Sequence, residues 1–184
     1  VRSISGTVQK AERMIKMELS QAIRNRRSIR RYKSGVQMSD DEIKTVLEAA
    51  MMAPSARNTR PWEFTVLKSD EAKKKAVELH PYAKHLRDAS IGIIVSARPD
   101  LQDGIAEGYF PQDCGAAIEN ILLSALDLGY GSCWCGIYPR EERVEIFRKE
   151  YEIKGIPMAL IVIGKADEEP NPRGFYEPSK VTVL

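Results

Sequence analysis

Gln112-Asp113-Cys114-Gly115-Ala116-Ala117-Ile118-Glu119-Asn120-Ile121-Leu122-Leu123-Ser124-Ala125-Leu126-Asp127-Leu128 is the stretch on which the fold turns. Its apolar residues leave hardly any polar face, so a helix here is either the pillar of the domain or part of a subunit interface. Gly129 is placed to end it as the residue after the C-cap. Working outward, Gly131 to Ile137 reads as a strand, and Pro139 opens a charged amphipathic helix through Glu150. Met158 to Ile163 is a second, buried strand. On the upstream side, Ile91-Gly92-Ile93-Ile94-Val95 is a continuous apolar run, the signature of a strand covered on both faces. Arg98 to Pro111, with its Pro, Gly and Asp, reads as a loop.

Further back, Trp62 to Leu67 alternates like a strand. A helix with Ala72, Ala76, Val77 and Leu79 follows Ser69, and a short helical piece covers Pro81 to Arg87. Ser39-Asp40-Asp41-Glu42 is a capping box, and Ile43, Val46, Leu47, Ala50 and Met51 follow at helical spacing until Pro54 stops the helix. From Glu18 a short helix carries Leu19, Ala22 and Ile23 on one face, and Ser28 to Tyr32 is extended. Strands interleave with helices, so the class is α/β or α+β. After Gly164 the chain turns polar and proline-rich (Pro170, Pro172, Pro178), as a tail lying along another surface would. Residues 1–16 read as a polar leader, either a remnant, an extended start or an extra helix. Residues 17–184 read as one domain.

The totals fit that reading. A chain of 184 residues is long enough to bury a sizeable core. A pI near 8.4 falls short of the basicity of a dedicated nucleic-acid binder. No apolar run approaches the roughly 20 residues that span a bilayer, so no membrane partner is expected. Three cysteines cannot make a paired disulfide framework, which points to the cytoplasm.

Charge is distributed unevenly. In Arg24-Asn25-Arg26-Arg27-Ser28-Ile29-Arg30-Arg31-Tyr32-Lys33 six of ten side chains are cationic and none is acidic. Taking those six from the net +2 leaves the rest of the chain at −4. From charge alone the cluster reads equally as a solvated helix end or as an anion clamp. Forked guanidinium donors beside the Ser28 hydroxyl would complement a phosphate. A nucleic-acid surface is the weaker anion reading, because Tyr32 is the only stacking ring within it.

Several chemistries drop out. Gly129-Tyr130-Gly131 begins like a dinucleotide fingerprint, but the third glycine would fall at Trp134, and the glycines enter a strand instead of leaving one. There is no Walker A sequence, no HExxH and no Gly-x-Ser-x-Gly elbow. His80 and His85 are five apart, cannot share a helix face, and read as surface histidines; no metal site is expected. Cys133 and Cys135 are two apart on a strand, so both point to one side; neither CxxC redox spacing nor a zinc knuckle results. Taken singly they read as packing residues, as does Cys114. Trp62 and Trp134 likewise read as core residues. An enzyme built from these parts has to take its reactivity from an organic cofactor.

Four segments in register resemble the FMN-dependent nitroreductase superfamily. They are Arg26-Arg27-Ser28-Ile29-Arg30-Arg31-Tyr32; Ala53-Pro54-Ser55-Ala56-Arg57-Asn58-Thr59-Arg60-Pro61-Trp62; Asp113 to Asn120 leading to Gly129 through Gly136; and Ile156-Pro157 before the strand ending at Gly164, with Arg173 beyond. Arg60 departs from the glutamine usual in that family. The resemblance implies an α+β three-layer sandwich, a central mostly antiparallel sheet flanked by helices, in an intertwined homodimer with FMN at the interface. It implies that Arg26 and Ser28 hold the FMN phosphate and ribityl chain, with Arg27 beside them and Arg173 closing from the tail. Arg30 would lie at the pyrimidine edge. Pro54, Ser55, Ala56 and Asn58 would line the ring from the partner subunit, and Cys133, Trp134, Cys135 and Gly136 would approach its N5 side. The reaction implied is ping-pong, from NAD(P)H through the flavin to an electron-poor acceptor such as a nitroaromatic or quinone, with no obligatory protein acid or base. A dehalogenase, an azoline oxidase, a flavin-fragmenting enzyme or a non-catalytic flavin-binding protein would share these segments.

Overall fold

The computed structural model describes residues 17–171 and 173–184; the leader expected over residues 1–16 lies outside them. Four strands form one sheet in the order β1 (Trp62–Leu67), β2 (Ile91–Ala97), β4 (Ile156–Gly164) and β3 (Gly131–Gly136). Every neighbouring pair is antiparallel. The unbroken apolar runs are explained by burial on both faces. Ile91, Ile93 and Val95 of β2 and Ala159, Ile161 and Ile163 of β4 enter one core with Val46, Ala117, Ile118 and Ile121. Ile94, Leu160 and Val162 enter a second core with Ala76, Leu86 and Phe147. Helices α2 (Asp40–Met51) and α4 (Phe110–Asp127) therefore cover one face, and α3 (Asp70–Leu79) and α5 (Glu141–Glu150) the other. This is an α+β three-layer sandwich.

Helix boundaries follow local chemistry. Ser39 and Glu42 exchange both bonds of the capping box at the start of α2. Helix α4 begins at Phe110, two residues before the start read from the sequence, because Pro111 sits in the first helical turn, where no amide donor is needed. It ends at Asp127, and Gly129 follows at φ 74°, donating its amide to the Leu126 carbonyl. The helix is less enclosed than its composition suggests. Cys114, Ala117, Ile118, Ile121, Leu122 and Ala125 are buried, whereas Ala116, Leu123 and Leu126 are only half-buried.

The arginine-rich segment is bound to the sheet as a strap. After α1 (Leu19–Asn25), Ser28 bridges Ser132 in parallel and Tyr32 bridges Ala166 in antiparallel fashion. The Ile29 amide donates to the Ser132 carbonyl at 2.9 Å and the Lys33 amide to that of Lys165 at 2.9 Å. Ile29 and Tyr32 are buried, whereas Arg30 and Arg31 between them are both exposed, so the strap does not keep the strict alternation of a regular strand. Gly131 makes the close approach possible, since a Cβ there would lie 2.7 Å from Ile29 Cγ1. The strap is thus fixed by backbone bonds and two buried side chains, and its cations are presented outward.

Candidate functional site

Two adjoining cavities open beside the strap. One, of about 420 Å³, is lined by Arg26, Arg27, Ser28, Arg30, Glu168, Pro170, Asn171 and Arg173. The other, of about 520 Å³, shares Arg26, Arg27, Glu168 and Pro170 and continues along Gly131 and Ser132 of β3. Both volumes lie in the range of small-ligand sites. Every strap residue read as an anion ligand, and Arg173 from the tail, thus borders the smaller cavity, although Arg173 is far away in sequence.

The geometry shows what such a cavity accepts. The Glu168 carboxylate takes the Arg30 and Arg31 amides through Oε1, the latter at 3.2 Å. Its oxygens stand in for those of an oxyanion at a pair of successive amides, the kind of concavity that binds anions. Arg26 Nε meets Glu119 on α4 at 3.0 Å, and Arg27 Nη1 donates to the Arg26 carbonyl at 2.7 Å. Both guanidiniums are therefore held in place without being buried. Among the described residues, four guanidinium groups and one carboxylate, that of Glu168, border the smaller cavity, which gives it an excess of positive charge.

Residues of β3 divide between the two faces of that strand. Cys133 and Cys135 point together into the second core and are buried. Trp134 points the other way, above Gly115 of α4, and is 43% exposed, so it is not the core residue read from the sequence. Trp62, at 7% exposure, is one. The two neighbouring thiols interact, which lowers the Cys133 pKa and raises that of Cys135. Burial raises the Cys114 thiol to about 12.

His80 corrects the surface reading: it is 1% exposed. Its Nε2 lies 3.0 Å from the Gly136 carbonyl, and its Nδ1 accepts the Tyr82 amide at 3.3 Å. Only a neutral imidazole with the proton on Nε2 satisfies both contacts, and burial accordingly holds its pKa below the ordinary 6.5. Arg143 Nη1 donates to the same Gly136 carbonyl at 2.7 Å. The exposed end of β3 is therefore clamped from two sides.

Pro54, Ser55, Ala56 and Asn58 border neither cavity. Their loop is nevertheless stiffly built. Arg57, Asn58 and Arg60 all have φ near +50°, a conformation disfavoured for side-chain-bearing residues. Ser55 Oγ accepts the Arg60 amide at 2.9 Å, and the buried Asp113 accepts the Ala56 amide at 3.1 Å and the Gln102 side-chain amide at 2.8 Å. Sequence reading passed over Glu168, Asn171 and Gln102, and gave Asp113 a place in a family segment but no role of its own. An acid in a polar tail, or one near a helix start, carries no local signal of this kind.

Comparison with known proteins agrees with the geometry. The family model described as the nitroreductase family matches residues 23–83 and 78–165. A protein of Archaeoglobus fulgidus, provisionally named NADH dehydrogenase/NAD(P)H nitroreductase, is 46% identical over 87% of this chain and 90% of its own length. One of Methanothermobacter thermautotrophicus with the same provisional name is 38% identical over 97% and 93%. Among solved structures, an FMN-dependent nitroreductase from Clostridium difficile superposes with a TM-score of 0.80 at 26% identity, covering 90% of this chain and 98% of that one. A nitroreductase from Desulfovibrio desulfuricans in complex with FMN gives 0.76 at 26% identity, covering 90% and 95%. With matches that run through the strap, the pillar helix and the last strand, the chain belongs to the nitroreductase family.

Proposed function

We propose that the protein is an FMN-dependent NAD(P)H oxidoreductase of the nitroreductase type. The observation that carries this reading is the cavity bordered by Arg26, Arg27, Ser28, Arg30 and Arg173, next to a backbone amide pair that already receives a carboxylate. These residues fit the phosphorylated end of a flavin in charge and in donor type, and the names of the relatives and of the FMN-bound neighbours support it. Once bound, FMN supplies the two-electron chemistry, from NAD(P)H to an electron-poor acceptor such as a nitroaromatic or quinone in alternating half-reactions.

The chain's own residues bind and orient. Arg26, Arg27 and Arg173 neutralise the phosphate, and the Ser28 hydroxyl bonds the sugar-like chain. Arg30 places a cation at the pyrimidine edge, where it favours the anionic reduced ring. His80 and Arg143 fix the Gly136 carbonyl and so hold in place the end of β3 that would support a bound flavin. The loop from Pro54 to Asn58, which borders neither arginine-lined cavity of its own chain, lines the site of the partner subunit in a homodimer. Its bonds to Asp113 and Ser55 hold it in shape for that task. No side chain has to give or take a proton on the electron path.

The reading is tested by an anaerobic absorbance spectrum of the FMN-loaded protein before and after NADH or NADPH. Bleaching of the flavin bands, followed by their recovery on adding a quinone or nitroaromatic, is expected. Retained colour after both reductants would mean a flavin-sequestering protein instead.

A further inference from the structure

His85, Cys133 and Cys135 converge on one point outside the arginine-lined cavities. Their ligand-capable atoms all lie within 4.8 Å of one another, and Cys135 Sγ is 3.8 Å from His85 Nε2. Both cysteines are free, and they are 2% and 6% exposed. We propose that these three side chains form a site for a thiophilic cation of the Zn²⁺ kind, with a fourth position left for water or an external ligand.

The argument begins with the strand. Residues two apart on β3 share a face, and the register Cys133↔Val162 and Cys135↔Leu160 locks both sulfurs to the interior of the sheet. His85 arrives from a separate element, the 3-10 turn Lys84–Arg87, anchored by the fully buried Leu86. The Tyr32 ring lies 5.9 Å from the imidazole and limits its rotation. Zinc bonds of about 2.3 Å to sulfur and about 2.0 Å to nitrogen place tetrahedral S···N neighbours at about 3.6 Å. The observed Cys135–His85 separation of 3.8 Å is close to this, and the remaining pairs, within 4.8 Å, have to close by at most about 1 Å.

Charge and ligand type agree. Two thiolates and a neutral imidazole balance a dication, and sulfur with imidazole selects Zn²⁺ over Mg²⁺ or Ca²⁺. Packing alone gives no reason for two sulfurs and a nitrogen to meet at the edge of a core that is otherwise made of aliphatic and aromatic side chains. The proposal needs only these three side chains and stands apart from the flavin reading. Its readout is bound metal, not turnover.

The test uses the protein as purified, dialysed against Zn²⁺ in excess Mg²⁺ and then analysed for metal. One zinc per chain is expected. Co²⁺ substitution should give thiolate charge-transfer absorption and d–d bands to the red of the flavin. Cys133→Ser, Cys135→Ser and His85→Ala should each weaken Zn²⁺ binding more than about tenfold. Substoichiometric zinc, a Co²⁺ spectrum without thiolate bands, or variants that bind like the parent would overturn the proposal. The cobalt spectrum is read on the unaltered protein, so a variant that fails to fold does not protect it.

Discussion

Arg26 is tied to Glu119, borders both cavities and remains partly exposed, so it is poised for an anion while contributing little to the core. Replacing it with alanine removes one charge-assisted contact, a loss of about 1.5–3 kcal/mol. Arg26→Ala is therefore expected to weaken FMN binding about 10- to 100-fold, read by fluorescence titration, with the circular dichroism spectrum unchanged. His80 gives a prediction about pH. Its unfolded imidazole titrates near 6.5, whereas the folded one is held lower by burial. A depressed folded pKa means the unfolded chain binds the extra proton first, so this contribution to stability is full above the unfolded value of about 6.5 and is lost as pH falls from there through the folded pKa. The urea midpoint should decline as pH falls below about 6.5, and His80→Gln should flatten that part of the profile.

Among the elements, the strap and the 54–60 loop depend on single close contacts. Gly131→Ala would drive a methyl into Ile29 and lift the strap. A destabilisation of about 1–3 kcal/mol is expected in urea unfolding, together with poorer flavin retention. Asp113→Ala would leave the Ala56 and Gln102 amides without their acceptor, at a similar loss of about 1–3 kcal/mol, while Asp113→Asn should be milder. The pattern of helices and strands was legible because β2 and β4 are covered on both faces and the caps at Ser39 and Gly129 are local. The start of α4 was misread by two residues because a proline in the first turn looks the same as one in a loop. The strap was visible as a concentration of charge, and the role proposed for it comes from family resemblance. Glu168 and the buried His80 were not legible, because each acquires its partners only from residues distant in sequence: Arg30 and Arg31 for one, Gly136 and Tyr82 for the other. Cys133 and Cys135 were correctly placed on one side of a strand, but nothing in the spacing of His85 announced that it would meet them.

For the molecule as a whole, the chain exposes more apolar surface than one copy needs. Leu19 and Ile23 of α1 are 68% and 60% exposed, and Phe175 and Val183 of the tail 81% and 91%. Together with the half-buried flank of α4, these residues are the ones we propose to be covered by a second copy. A homodimer is the expected partner, with the loop of one copy completing the site of the other. Sedimentation velocity should find a dimer for the parent protein, and Ile23→Glu should shift it toward monomer and lower flavin content in step. A monomeric parent that still holds flavin would rule out the shared site.

The central claim, that the strap grips the phosphate of FMN, is tested most directly by comparing FMN with riboflavin, which lacks only that phosphate. Equilibrium titration of the flavin-free protein should show FMN bound at least about 100-fold more tightly, on the order of 3 kcal/mol, with the margin shrinking in Arg26→Ala. Equal affinity for the two flavins, or no affinity for either, would contradict it.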